Sequence, residues 1–286
     1  MSKTWLITGS SRGLGRQLAE AVLQAGHCLV ATARRPDQLN DLVDTYGHSV
    51  RVVALDVTDP RAARAAVGAA VQAFGRLDVV VNNAGYADVA SIEDMPEDEF
   101  RAQIDANFHG VVNVTRAALP IMRQQGSGHI IQISSVGGRV GGPGLGAYQA
   151  AKWAVGGFSE VLAREVAPFG IKVTVAEPGG MRTDWAGSSM TTLAMSDPYR
   201  PVIEPVIARL RAANGNQLGD PARVSQVILE VTEVPDPPVH LLLGADAVAV
   251  AQAAATALAD SDAKWRTVSE SVSYDTSPAS SGRPQG

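Results

Sequence analysis

Residues 8–15 read Thr8-Gly9-Ser10-Ser11-Arg12-Gly13-Leu14-Gly15, and the fold is decided by what flanks them. A short apolar run, Trp5-Leu6-Ile7, comes before, and a segment with helical spacing, about residues 14–25, comes after. Glycine reaches positive φ at little cost and lets the backbone approach a ligand closely. A helix starting at this point presents unpaired N–H groups and a partial positive charge, a natural seat for a pyrophosphate. A plain tight turn could use the same glycines, so the stretch alone does not separate the two readings. Its glycines stand at 9, 13 and 15, a spacing that departs from the commonest dinucleotide turn, Gly-x-Gly-x-x-Gly.

Working outward, apolar and β-branched runs recur at 6–8, 28–32, 50–55, 77–81, 129–134, 172–176 and 239–243. Segments with helical spacing lie between them, at 14–25, 37–46, 60–74, 97–124, 147–168 and 221–232. Strands alternating with helices require crossover connections, hence a parallel sheet. Val79-Val80-Val81 is apolar at successive positions, as a strand covered on both faces should be. The expectation is an α/β fold, one doubly wound Rossmann-type sheet of about seven strands with helices on both faces. Residues 1–260 read as one domain. Residues 261–286, rich in serine towards the end, read as a largely flexible C-terminal tail.

Composition excludes several classes of function. The chain has 286 residues, 45% of them hydrophobic, and a net charge of −5. Its basic residues are scattered, so no nucleic-acid footprint or polybasic membrane patch is present. Cys28 is the only cysteine, which rules out an intrachain disulfide. His27, His48, His109, His129 and His240 show no metal-ligand spacing. The apolar segment 239–259 is interrupted by His240, Asp246 and Gln252, so it does not read as a membrane span. Trp5-Leu6-Ile7 is too short for the apolar core of a secretion signal. A cytoplasmic protein without metal is expected.

Further motifs fall at the ends of the predicted strands. Asn82-Asn83-Ala84-Gly85 closes the fourth, and Asn107-Phe108-His109-Gly110 lies in the long helix after it. Ser134-Ser135 closes the fifth strand, Tyr148-Gln149-Ala150-Ala151-Lys152 opens the next helix, and Pro178-Gly179 with Thr183 follows the sixth strand. Together with Thr-Gly-x-x-x-Gly-x-Gly these six motifs, in this order over about residues 4–245, resemble the short-chain dehydrogenase/reductase family. The Tyr–Lys spacing has weight of its own. With five tyrosines and four lysines in 286 residues, chance gives about 0.07 such pairs; a surface i,i+4 neighbour pair competes evenly with the pair taken alone and poorly once the other motifs stand beside it.

The resemblance implies an oxidoreductase in which Tyr148 is the general acid/base, and Lys152 lies on the same helical face. A free phenol titrates near pKa ~10, and a nearby ammonium is expected to lower it toward the working pH. Lys152 is also implied as a ligand of the nicotinamide ribose. Ser135, thirteen residues before Tyr148, is implied as a hydroxyl donor to the substrate oxygen, while Ser134 reads as structural. Asn107 is implied as the fourth catalytic member, against the alternative of a mid-helix Asn bonded to backbone.

For the cofactor, the resemblance implies contacts from Gly9, Ser11, Arg12, Gly13, Leu14 and Gly15. It implies further contacts from Asn83, Ala84 and Gly85, and from Pro178, Gly179, Met181 and Thr183. Val57 belongs with Asp56, which is implied at the adenine and competes with an ordinary loop Asp. In the NAD pattern an acid ends the second strand; here Ala33 stands there, followed by Arg34. A guanidinium attracts a 2′-phosphate, so Arg34 and Arg12 point to NADP(H), and Arg35 is expected to face solvent.

On the substrate side, a lid is expected over about 181–219. Met181, Trp185, Met190, Leu193, Met195 and Tyr199 either line a pocket for a hydrophobic or bulky carbonyl compound or pack the lid itself. Tyr86, Val136, Gly138 and Arg139 are further lining candidates. Family members usually pair through their long helices, so a homodimer or homotetramer is expected. The alternative, a non-catalytic dinucleotide sensor on the same fold, would have no need of Ser135, Tyr148 and Lys152.

Overall fold

Runs of residues with no polar face bury themselves from both sides, and in the computed structural model of the chain they lie side by side in one sheet. The structure describes residues 2–183, 185 and 190–274. The strands are β1 (Thr4–Ile7), β2 (Cys28–Ala33), β3 (Val50–Ala54), β4 (Val79–Asn82), β5 (Ala87–Val89), β6 (Gly128–Ile133), β7 (Ile171–Pro178), β8 (Met190–Thr192) and β9 (His240–Leu243). Seven of them form a parallel sheet in the order β3-β2-β1-β4-β6-β7-β9. All seven match the apolar runs of the sequence to within a few residues.

Successive side chains of a strand leave on opposite faces, and the core shows it. Trp5 and Ile7 enter one apolar cluster while Leu6 enters another; Val79 and Val81 likewise part from Val80. The first cluster is roofed by α1 (Gly13–Gln24), α2 (Asn40–Tyr46) and later α8 (Pro221–Val231), through Leu18, Leu42 and Ile228. The second is roofed by α3 (Pro60–Phe74), α5 (Gly110–Gln125) and α6 (Gly146–Val166), through Val67, Met122 and Leu162. Helix starts follow local chemistry. Asp59 accepts from the Arg61 amide ahead of Pro60, and Asp220 accepts from Ala222 ahead of Pro221.

The predicted helix at 97–124 is divided. Helix α4 (Glu97–Ile104) and α5 are joined by a five-residue π turn, Asp105–His109. Asn107 Nδ2 donates to Gln103 O at 2.9 Å. That bond occupies a carbonyl of the preceding turn, which loosens the i→i−4 ladder. Pro120, inside α5, does not end it. Between 181 and 219 the chain forms β8, which pairs with β5 as a separate two-stranded parallel sheet, and α7 (Arg200–Ala213). Residues 184 and 186–189 of the expected lid lie outside the described residues. The final helix, α9 (Ala245–Glu270), continues ten residues past 260. The remainder of the expected tail, 275–286, is outside the described residues. No helix is long and apolar enough to cross a membrane among the described residues.

Candidate active site

The strand order reverses between β1 and β4, and the crevice beyond their C-terminal ends is where an open α/β sheet binds ligands. The glycine turn lies there. Gly9 and Gly13 have φ of +69° and +56°, which side-chain-bearing residues rarely adopt. Gly15 needs no positive φ, but a Cβ on it would overlap Gly9 O and Asn83 Nδ2. Asn83 stitches the two strand ends together, donating from Nδ2 to Thr8 O at 2.9 Å and Gly9 O at 3.2 Å. Thr8 Oγ1 in return accepts the amides of Asn83 and Ala84 at 2.9 and 3.0 Å. Ser10 bonds Ile7 O and the Thr32 amide, so it serves the turn rather than the cavity.

These groups border a cavity of about 1180 Å³. Ser11, Arg12, Gly13 and Leu14 line it at the start of α1, where the side chain of the N-cap residue makes no capping bond. A helix N-terminus behind a turn whose Gly9 and Gly13 adopt positive φ fits a dinucleotide pyrophosphate. Beyond it Ala33 is buried and Arg34 stands exposed on the cavity wall. Arg35, expected to face solvent, is exposed and borders the cavity as well. Asp56 and Val57 also line it. Asp56 Oδ1 accepts from the amide and hydroxyl of Thr58 at 3.0 and 2.8 Å, so it shapes its own loop at the same time. Every expected cofactor residue borders the cavity except Gly15, which lies beneath the turn.

Tyr148 and Lys152 of α6 and Ser135 after β6 line the same cavity. Tyr148 and Lys152 are buried, and Ser135 stands beside the Tyr148 side chain, where it favours the ionised phenol. Lys152 Nζ donates to Ile133 O at 2.8 Å and lies 5.5 Å from the Tyr148 ring centroid. Burial pushes the Tyr148 phenol up to about 12, against the pull of Ser135, and draws the Lys152 ammonium down to about 8. This reverses the expected lowering of the phenol. Desolvation penalises both charged forms here, and the ammonium beside the ring does not overcome it.

Asn107 is fully buried in the π turn. Its Nδ2 reaches Tyr86 O at 2.9 Å, and its Oδ1 accepts the Tyr86 amide at 3.3 Å. A Cβ on Gly85 would collide with that Oδ1 and stand 3.7 Å from Lys152 Nζ, so Asn107, Gly85 and Lys152 form one packed unit. Ser134 is structural, as expected: its hydroxyl donates to Lys152 O at 3.2 Å. Pro178, Gly179, Met181 and Thr183 close the cavity after β7, and the Gly180 amide is held by Asp246 at the start of α9 at 2.8 Å.

The substrate end is apolar. Trp185 lies against Tyr148, ring centroids 5.4 Å apart, and Tyr86, Val136 and Met181 line the same space. Met190, Met195 and Tyr199 instead pack the lid, around Val89, Ile203 and Ile207, and Leu193 packs with Ala90 and Met95. Gly138 and Arg139 do not line the cavity. Gly138 is pressed against Lys152 O and Ser134 Oγ, and Arg139 turns away to pair with Glu177. Leu145, Leu210 and Gln217 do line it, although no motif or spacing in the sequence singles them out. No cluster of three or more potential metal ligands occurs among the described residues.

Residues 3–194 match the family model described as short chain dehydrogenase. The chain is 54% identical over 270 residues to Oxidoreductase BOA17 of Botryotinia fuckeliana (strain B05.10), covering 94% of this chain and 98% of that protein. It is 43% identical over 178 residues to a 3-ketodihydrosphingosine reductase of Bacteroides thetaiotaomicron, covering 62% of this chain and 64% of that protein. Among solved structures, a short-chain dehydrogenase from Streptomyces avermitilis superposes with a TM-score of 0.90 at 37% identity. The match covers 96% of this chain and all of that one.

Proposed function

The chain belongs to the short-chain dehydrogenase family, and from that premise we propose that it is an NADP(H)-dependent oxidoreductase interconverting a ketone or aldehyde and its alcohol. One observation carries the reading. Ser135, Tyr148 and Lys152 border the same cavity as the glycine turn at the start of α1. One cavity lined by both groups accommodates the reacting carbonyl and the pyrophosphate of one long cofactor.

NADPH when bound supplies the hydride, and NADP⁺ accepts it and brings a positive charge to the pocket. Ser135 donates a hydrogen bond to the carbonyl oxygen, and Tyr148 delivers its phenolic proton to that oxygen as the carbon is reduced; oxidation runs the same proton back. Lys152, fixed by Ile133 O, holds its charge behind the phenol and offers donors to the nicotinamide ribose. With burial raising the phenol to about 12, Tyr148 stays protonated at neutral pH, the state that reduction requires.

The choice of NADP(H) rests on Arg34 and Arg12 at the cavity wall and on Ala33 in place of an acid. A hydrophobic or bulky substrate follows from Tyr86, Val136, Met181 and Trp185, and the reductase of a 3-keto compound among the relatives supports a carbonyl. A cytoplasmic homodimer or homotetramer, paired through the long helices, completes the proposal. A carbonyl panel followed by NADPH absorbance tests it with wild type and Tyr148→Phe. The variant should bind NADPH nearly as wild type and lose at least ~10²-fold in kcat. Wild-type turnover by Tyr148→Phe would refute the mechanism.

A further inference from the structure

We infer that Arg139 and Glu177 are positioning residues that set the geometry of Ser135 and of the cavity wall beside it. This rests on the oxidoreductase reading above for its consequence in turnover, though not for its structural content. The short 3₁₀ turn Val136–Gly138 carries the wall, with Val136, Gly137 and Val140 bordering the cavity. Ser135 is wired into that turn: its Oγ accepts the Gly137 amide at 3.0 Å and its carbonyl accepts the Gly138 amide at 2.9 Å. The turn touches α6 where Gly138 packs on Lys152 O. Its far end is held by Arg139.

The hold is geometrically specific. Arg139 Nε lies 3.0 and 3.1 Å from the two Glu177 oxygens, and Nη2 lies 2.6 Å from Oε2. Glu177 is on β7, just before Pro178-Gly179 at the cavity, and its side chain is only 2% exposed. His240 at the start of β9 bonds the same carboxylate through Nδ1 at 3.0 Å and faces Glu160 of α6 through Nε2 at 3.1 Å. Burial alone would raise the Glu177 carboxyl, but the bonds from His240 and Arg139 outweigh it and hold it below the ordinary range. An ion pair with one buried partner, Glu177, and one partly exposed, Arg139, is a poor source of net stability, but a planar two-point contact fixes distance and angle. Arg139 points away from the cavity, so it can act on the chemistry only by placing the turn.

The test combines turnover with a measurement that needs no substrate. Arg139→Met should lower kcat about tenfold, since misplacement near 1 Å can cost up to about 10²-fold, while NADPH affinity stays within about twofold. Arg139→Lys, which keeps the charge without the fork, should fall between. In a Ser135→Ala background the same Arg139→Met change should alter kcat less than about twofold, because the group it positions is gone. Amide exchange should accelerate over residues 134–141 in Arg139→Met and in Glu177→Gln, and stay unchanged over β1 and α1. Exchange that is unaltered over 134–141, wild-type kcat in Arg139→Met, or an equal kcat loss in both backgrounds would overturn the inference. A wild type inactive on every carbonyl, with the exchange pattern present, would defeat the functional reading and leave the positioning role standing.

Discussion

Gly15→Ala adds one methyl group at the most crowded point of the cofactor turn. Gly15 has no positive φ to lose, so the entire effect is steric. The new Cβ would overlap the Gly9 carbonyl and the Asn83 amide nitrogen, and both are fixed, since Asn83 bonds Thr8 O and Gly9 O. Reaching ordinary van der Waals separation needs a displacement of about 1 Å. Overpacking of this kind costs about 1–3 kcal/mol, which in a chain of this size lowers the melting temperature by about 2–10 °C. The turn must give way, and with it the first amides of α1. A loss of 1–3 kcal/mol in binding corresponds to an NADPH Kd raised about 5–150-fold. Fluorescence titration with NADPH and a thermal melt measure the two effects on one preparation. Gly15→Ala that binds NADPH within twofold of wild type and melts within 1 °C of it would show that the turn is neither tight nor at the cofactor.

Gly68 lies in the interior of α3, and a methyl group in place of its α-hydrogen would meet nothing within 4 Å, so Gly68→Ala should raise stability by about 0.5–1 kcal/mol in a urea melt, and destabilisation would contradict that open environment. Arg34→Ala removes a charge-assisted partner of the 2′-phosphate worth about 1.5–3 kcal/mol, so the ratio of kcat/KM for NADPH over NADH should fall about 10–150-fold. A wild type that uses both cofactors equally would sink that assignment. Burial draws Lys152 down to about 8, so it is charged below that pH and neutral above it. NADPH affinity should therefore weaken as pH rises through about 8, and Lys152→Met should remove the step; a wild-type Kd flat from pH 7 to 9.5 would count against the ammonium's part in binding.

What could be read from the sequence was local. The glycine turn, the Tyr–Lys pair and Ser135 each carry their meaning within a few residues, and β1 and β4 announce their burial by unbroken apolar runs. Three features were hidden for physical reasons. The strands β5 and β8 have three residues each, too short to show a period, and they pair across the lid. The π turn has no helix breaker to mark it; Asn107 makes it by bonding Gln103 and Tyr86, and Tyr86 is brought close only by the fold. Arg139 and Glu177 are 38 positions apart, so an arginine with the look of a pocket residue belongs instead to an ion pair with a buried carboxylate. In the lid, apolar character alone could not tell Trp185, which packs on the lid cluster and also meets Tyr148, from Met190 and Met195, which only pack the cluster.

Asn83 closes the glycine turn from 75 residues downstream of Thr8. On the ribosome, β1, α1 and β2 are therefore made before the residue that completes their ligand cradle exists. At roughly 5–20 residues per second the interval is about 4–15 s. Through it Thr8 Oγ1 and the carbonyls of Thr8 and Gly9 lack their Asn83 partners. β1 meanwhile shows one bare edge, because its neighbour on the side opposite β2 is β4. A nascent chain that pairs β1 with β2 at this length has an exposed strand edge on β1 and a cradle without its Asn83 bonds. Chaperone capture should concentrate there, and cofactor supply should influence yield only after β4 has emerged.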